Sequence, residues 1–251
     1  MDWLRSSRAR YDRIMAEIEN IVILTGAGIS AESGLATFRG PDGLWEGRRV
    51  EEICTPEALA ADRGLVLDFY DQRRRALGSV EPNAAHKALA FLDAHWPGEL
   101  LIVTQNVDDL HERAGAGRML HMHGELLSSL CASCGERADF GGDMIDGPRC
   151  VACGQNELRP DIVFFGEMPY EMERIERALM RADLFVSIGT SGAVYPAAGF
   201  VQIARHASAE TLELNLDPSA GSVYFHETRL GPASALVPAW VDELLTTSAS
   251  A

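Results

Sequence analysis

Four apolar runs alternating with helical patterns predict an α/β chain built on a doubly wound, Rossmann-like parallel sheet. Two stretches, residues 40–80 and 124–158, break the alternation and predict a smaller domain made of two insertions at the edge of that sheet, with a cleft between the parts. Four of the five cysteines fall in the second insertion, as two Cys-x2-Cys pairs separated by fifteen residues.

Ile21-Val22-Ile23-Leu24 is a continuous apolar run, the pattern of a strand buried on both faces of a parallel sheet. Leu100-Leu101-Ile102-Val103, Leu184-Phe185-Val186-Ser187-Ile188 and Thr211-Leu212-Glu213-Leu214 read the same way. Each ends in small or polar residues, where open parallel sheets bind ligands. Asn83 caps a predicted helix over 84–94, and Pro97-Gly98 turns the chain into the next strand. Within 170–181, Met172, Ile175, Leu179 and Met180 recur at helical spacing among charged neighbours. In the first insertion Thr55 and Pro56 read as N-cap and first helical residue, and a second helix is expected over 65–77 after a break at Gly64.

The chain of 251 residues can bury a substantial core, and 47% apolar with 24% charged residues is an ordinary globular composition. Its 22 basic and 37 acidic residues give a formal charge of -15, which opposes binding to nucleic acid through general electrostatics. Arg5, Arg8, Arg10 and Arg13 alternate with Asp2, Asp12, Glu17 and Glu19, unlike an acid-poor transit peptide. With no signal peptide and no membrane-length apolar run, a cytoplasmic protein is expected.

Cys131, Cys134, Cys150 and Cys153 have the spacing of a tetrahedral Zn2+ site. Four sulfur ligands leave no open coordination position, so the zinc is structural and the chemistry lies elsewhere. Two disulfides are the alternative, disfavoured by the odd cysteine count and the absence of a secretory signal. Cys54, far away in sequence, reads as a small buried apolar residue.

Gly26-x-Gly28-x-x-Ala31 matches a dinucleotide loop and stands between a buried strand and a short helix, where backbone N–H groups can meet a pyrophosphate. An ordinary tight turn would use the same small residues. The acidic ribose partner normally found about twenty residues later is ambiguous, because Glu46 and Glu51 both lie in the insertion.

Gly26-Ala27-Gly28-Ile29-Ser30, Thr37-Phe38-Arg39-Gly40, Thr104-Gln105-Asn106-Val107-Asp108, His123-Gly124, the four cysteines and Gly189-Thr190-Ser191 resemble, in order and spacing, the motifs of the sirtuins, NAD-dependent protein lysine deacylases. The resemblance extends from about Asn20 to Leu245. It implies NAD as cofactor, one structural zinc, and acylated lysine side chains of proteins as partners. The NAD-binding domain would then comprise 1–39, 81–123 and 159–251, with 40–80 a helical insertion and cofactor loop and 124–158 the zinc-binding module.

Residue by residue, the resemblance assigns Gly26, Ala27, Gly28 and Ser30 to the NAD phosphates, together with Gly189, Thr190 and Ser191 as cofactor contacts. Phe38, Arg39 and Trp45 would belong to a loop closing over the cofactor. Gln105, Asn106 and Asp108 would hold the nicotinamide ribose and carboxamide, and Asn215, Asp217 and Ala233 the adenosine half, where many relatives have Glu in place of Asp217. His123 resembles the general base, a role suited to an imidazole with a pKa near neutrality, and His121 is its competitor. His86, His95, His206 and His226 read as ordinary satisfied polar residues. Val163-Phe164-Phe165-Gly166-Glu167 and the segment around Val194 resemble the two edges that clamp an acyl-lysine peptide as an added strand. In the implied mechanism the acyl oxygen attacks the ribose carbon, nicotinamide leaves, and His123 activates a ribose hydroxyl. Protein mono-ADP-ribosylation at the same NAD site is the alternative activity.

Tyr70 and Arg73 stand at i and i+3 of the helix expected over 65–77 and can share one face. Composition alone favours a basic, solvated helix end there, as expected for Arg74 and Arg75. The pair nevertheless resembles the Tyr-x-x-Arg of the sirtuin branch that removes succinyl, malonyl and glutaryl groups, a guanidinium and a phenol being a receptor for a carboxylate. That branch carries Ala where this chain has Cys54, which narrows the expected pocket.

Overall fold

A computed structural model of the chain describes residues 18–36, 44–45 and 47–248. In chain order these form β1 (Asn20–Thr25), α1 (Gly28–Ala31), β2 (Leu44–Trp45), β3 (Arg48–Arg49), α2 (Val50–Ile53), α3 (Pro56–Ala61), α4 (Arg63–Leu77) and α5 (Ala84–His95). Then come β4 (Glu99–Thr104), α6 (Leu110–Ala114), β5 (Met119–His121), β6 (Gly124–Cys131), β7 (Arg137–Asp139), β8 (Leu158–Ile162) and α7 (Met172–Leu179). The last elements are β9 (Leu184–Ile188), α8 (Phe200–His206), β10 (Glu210–Asn215), β11 (Glu227–Leu230) and α9 (Ala233–Ser248).

Six strands make a parallel sheet in the order β11-β10-β9-β1-β4-β5. Alternation along β1 sends Ile21 and Ile23 to one face and Val22 and Leu24 to the other. The first face packs on α5 and α9 through Ala85, Leu89, Leu92, Val237, Trp240 and Val241. The second packs on α7 and α8 through Ile175, Leu179, Phe200, Val201 and Ala204. Covering both faces with helices is why the strands read as unbroken apolar runs. The order reverses direction at β1, because the chain builds β4 and β5 on one side and then β9, β10 and β11 on the other. A crevice opens at the carboxyl ends of the strands beside that switch point.

The two insertions pack on each other. Val50, Ile53, Val66, Phe69, Tyr70 and Leu77 from the helical stretch share a core with Leu126, Ile162 and Phe164 from the stretch around the small antiparallel sheet β7-β6-β8. Thr55 caps α3 as expected, accepting from the Ala58 N–H at 3.0 Å. Helix α4 starts before Gly64 rather than after it, because Asp62 accepts from the Leu65 N–H at 2.9 Å and Gly64 falls in the first turn.

Arg74 corrects the sequence reading. Its side chain is buried, not solvated: it pairs with buried Asp71 at 2.6 Å and donates to the carbonyls of Leu126 at 2.7 Å and Gly142 at 3.0 Å. Asp71 in turn accepts from the Met144 and Ile145 N–H groups, both at 3.0 Å. This ion pair binds α4 to the second insertion. Arg75, by contrast, is exposed. Among the described residues no helix is long and apolar enough to cross a membrane.

Candidate active site and metal centre

One cavity of about 1170 Å³ runs along the carboxyl ends of the parallel strands and under the smaller module. Gly26, Ala27, Gly28 and Ser30 after β1, Gln105, Asn106 and Asp108 after β4, and His123 after β5 line one side of the switch point. Gly189, Thr190 and Ser191 after β9, Asn215 and Asp217 after β10, and Ala233 at the start of α9 line the other. Val163, Phe165, Gly166, Glu167 and Val194 also border it. Phe38 and Arg39 lie outside the described residues, and of Trp45 only the backbone, in β2, is described.

Ser30 is the centre of a buried network. Its hydroxyl donates to Asp108 Oδ2 at 3.0 Å, accepts from Asn106 Nδ2 at 3.1 Å, and lies 3.3 Å from His86 Nε2. Burial pushes the Asp108 carboxyl above the usual range, although bonds from Leu110 N–H and Ser30 oppose the shift. Asn215 is fixed through Nδ2 to the Thr190 carbonyl at 2.7 Å. Sequence reading left His86 as an ordinary polar residue. It is fully buried beneath the cavity and held against Ser30, 56 positions away in sequence.

The two candidate histidines are used differently. His123 Nδ1 lies 3.2 Å from the Gln105 carbonyl, so the Nδ1–H tautomer donates there and leaves Nε2 as the acceptor on the cavity wall. Burial holds its pKa below the ordinary imidazole value, partly offset by that bond. His121 does not line the cavity. Nδ1 bonds the Asn106 carbonyl at 2.8 Å and Nε2 meets Glu112 Oε1 at 2.6 Å. Burial disfavours its charged form, yet Glu112 and the Asn106 carbonyl carry its pKa above the ordinary value.

The four cysteine sulfurs lie within 4.8 Å of one another, with Cys131 to Cys153 and Cys134 to Cys150 both at 3.7 Å. A tetrahedron with Zn–S bonds of about 2.3 Å places its sulfurs roughly 3.8 Å apart, whereas a disulfide needs about 2.05 Å. Each pair ends in the same knuckle: Gly135 donates to the Cys131 carbonyl and Gly154 to the Cys150 carbonyl, both at 2.9 Å and both with positive φ. The site fits one closed, structural zinc.

The Sir2 family profile matches residues 26–196. The chain belongs to the Sir2 family. It is 55% identical over 229 residues to an NAD-dependent protein deacylase of Vibrio vulnificus strain YJ016, covering 90% of this chain and 94% of that one. It is 54% identical over 230 residues to the NAD-dependent protein deacylase SIR2rp3 of Trypanosoma brucei brucei, with the same coverage of 90% and 94%. A crystal structure of a Sir2 homolog–NAD complex superposes with a TM-score of 0.87 at 36% identity, over 96% of this chain and 94% of that one. The structure of Sir2Af2 bound to a myristoylated histone peptide superposes with a TM-score of 0.73 at 28% identity, over 96% and 97% of the two chains.

In this Sir2 chain the glycine-rich loop has a second physical reason besides approach to a ligand. A Cβ on Gly28 would stand 2.7 Å from Gly189 Cα, and one on Gly189 2.5 Å from the Ile29 nitrogen. The loops after β1 and β9 therefore cross at backbone contact, tied by the Gly28 N–H to the Gly189 carbonyl at 2.9 Å.

At the other end, Arg73 and Cys54 line the cavity and Tyr70 does not. The Tyr70 ring is fully buried and stacked at 5.9 Å on Phe164, with its hydroxyl toward Cys54. The Arg73 guanidinium lies over the Phe69 ring at 4.3 Å. Cys54 is buried as expected, but it is also part of the wall. Glu167 reaches the wall with its carboxylate committed to Arg159 at 2.6 and 2.9 Å, and it accepts from the Phe164 N–H at 2.8 Å.

Proposed function

We propose that this chain is an NAD-dependent protein lysine deacylase that removes succinyl- and malonyl-type groups as well as acetyl, releasing nicotinamide and O-acyl-ADP-ribose. The observation that carries the reading is a single cavity bordered by His123, by the Ser30–Asn106–Asp108 network and by the Arg73 guanidinium. NAD supplies the electrophilic ribose carbon and accepts the acyl group. The chain's own residues bind, orient and move a proton. Gly26, Ala27, Gly28 and Ser30 form a side-chain-poor loop at the cavity wall that lets a pyrophosphate approach the backbone, its Gly26 and Gly28 N–H groups tied to the Ile188 and Gly189 carbonyls, and Asn215, Asp217 and Ala233 border the place for the adenosine half. Asp108 and Asn106 suit a carboxamide and ribose hydroxyls, an acceptor and a donor held rigid by Ser30. His123, neutral at physiological pH with Nε2 toward the cavity, is placed to take a proton from a ribose hydroxyl.

Backbone around Val163, Phe165, Gly166 and Val194 suits an extended peptide carrying the acyl-lysine, which makes acylated proteins the partners. The Arg73 guanidinium suits an acyl group ending in a carboxylate. Tyr70 supports that end from behind, its ring fully buried and stacked on Phe164. Four thiols kept as metal ligands fit a reducing compartment, the cytoplasm.

The test compares acetyl, malonyl, succinyl and glutaryl versions of one lysine peptide with NAD, for wild type and Arg73→Met. Losing one partner of a buried charge pair costs about 2–5 kcal/mol, or roughly 30-fold to a few thousand-fold. The succinyl peptide should lose kcat/KM in that range and the acetyl peptide far less. Equal losses on both peptides, or a wild type inert toward succinyl-lysine, would refute the acyl assignment.

A further inference from the structure

A second group of ligand-type side chains stands outside the cavity. Glu112 on α6, His121 at the end of β5 and Glu125 on β6 bring one carboxylate oxygen, one imidazole nitrogen and a second carboxylate oxygen within 4.8 Å of one another. We propose that these three residues form a site for a divalent first-row transition ion, separate from the four-cysteine zinc and from the cofactor cavity. None of the three lines that cavity.

The ligand chemistry fits. An imidazole with two carboxylates suits zinc, cobalt or manganese, and bonds of about 2.0–2.2 Å bring such donors together with only small side-chain rotations. Both glutamates are exposed and can make those rotations, while the histidine is fixed. His121 Nδ1 is tied to the Asn106 carbonyl at 2.8 Å, and this sets the tautomer whose Nε2 lone pair points at the carboxylates. A histidine ligand characteristically has its other nitrogen held in this way. Glu112 Oε1 already sits 2.6 Å from Nε2, so an entering ion takes the place of the proton the two now share.

The placement gives the site a consequence. His121 ends β5, the edge strand of the large parallel sheet, and Glu112 lies on the helix α6 just before it, whereas Glu125 belongs to the small sheet. An ion there clips the two modules together beside His123, where the chain passes from one to the other.

The experiment uses full-length protein that already holds its structural zinc, titrated calorimetrically with Co2+ while the visible spectrum is recorded. One further equivalent per chain is expected, with weak ligand-field bands and no thiolate-to-cobalt charge transfer. Glu125→Gln, an exposed change that should leave the fold intact, and Glu112→Gln and His121→Ala should each weaken that equivalent more than about a hundredfold, beyond the roughly 10- to 100-fold cost of losing an outer-shell partner. His226→Ala serves as control, since its Nδ1 lies 3.2 Å from Glu210 and forms another histidine–carboxylate contact. The proposal is overturned if no extra equivalent binds. It is also overturned if the equivalent survives Glu125→Gln, is lost in His226→Ala instead, or carries charge-transfer bands marking replacement of the zinc.

Discussion

The ion pair between Asp71 and Arg74 is the most exposed point of the architecture to a single substitution. Asp71 accepts from Arg74 at 2.6 Å and from two backbone N–H groups at 3.0 Å, and no part of its side chain meets solvent. Replacing it with Ala leaves the guanidinium buried with only the Leu126 and Gly142 carbonyls, and leaves the Met144 and Ile145 N–H groups without their acceptor. Removing one member of a buried pair costs about 3–5 kcal/mol, far more than the ~1 kcal/mol ceiling typical of exposed pairs. That is a large fraction of a net stability of roughly 5–15 kcal/mol. Arg74→Met alone should cost a similar amount through the uncompensated carboxylate. The double variant Asp71→Ala/Arg74→Met should cost less than the sum of the two, because no buried charge remains. Urea unfolding followed by circular dichroism gives the four corners of the cycle, and release of zinc to a chromogenic chelator reports the second insertion directly. Zinc should leave the single variants faster than wild type. Single variants within about 1 kcal/mol of wild type, or strictly additive losses, would refute the view that this pair holds the insertions together.

Other substitutions separate the site's components. His123→Ala should reduce deacylation by about 10²- to 10⁴-fold with NAD affinity nearly intact, and His121→Ala should fall far less; the opposite ranking in steady-state assays would reassign the base. Cys131→Ala should lose the bound zinc and the order of the small sheet, read by elemental analysis and hydrogen exchange, and a metal-free protein of full activity would refute a structural zinc. Buried His86 and His111 are held neutral, with pKa values lowered to about 4 and about 3 by desolvation. Their unfolded values lie near 6.5, so the unfolded chain takes up protons first, and stability present above about pH 6.5 is lost as pH falls toward 4. His86 alone accounts for about 3 kcal/mol by pH 4, and His111→Asn should flatten the remaining dependence measured by thermal melts across pH.

What the sequence made legible follows from how each element is buried. Strands β1, β4, β9 and β10 were readable because helices cover both faces and their interior positions are mostly apolar, the buried Glu213 of β10 being an exception. The edge strands β5 and β11 gave no such run: β11 alternates half-buried and exposed residues, and β5 is three residues long. The cysteine spacing was readable because a knuckle fixes the separation of its two ligands locally. Arg74 was misread because two of its partners, the Leu126 and Gly142 carbonyls, lie 52 and 68 positions away, and its third, Asp71, is one helical turn from exposed Arg75 as well. Long-range pairing also hid His86 under Ser30 and the stacking of Tyr70 on Phe164. The glycines of the loop after β1 stood out in the sequence as room for a ligand to approach the backbone, and the structure shows that Gly28 is required by the crossing with Gly189.

The choice between His121 and His123 depends on where the chain changes modules. Residues two apart on one strand face the same way, and continued pairing past β5 would have put both rings on one side. Instead β5 ends at His121, the turn intervenes, and β6 begins at Gly124 with φ of 84°. A Cβ on Gly124 would stand 1.9 Å from the Asp161 carbonyl oxygen, so this residue is glycine because the two strands of the small sheet meet there at backbone contact. The His123 carbonyl accepts from Val163 at 2.9 Å and the Met122 carbonyl from Tyr170 at 2.9 Å, which pins the turn from the side of the smaller module. His121 is thereby left on the large sheet facing Glu112, while His123 is delivered to the cavity between the modules. The glycine after the histidine thus positions His123: any side chain at 124 must push β8 away or rotate the turn, and either movement shifts Nε2 from the cavity wall.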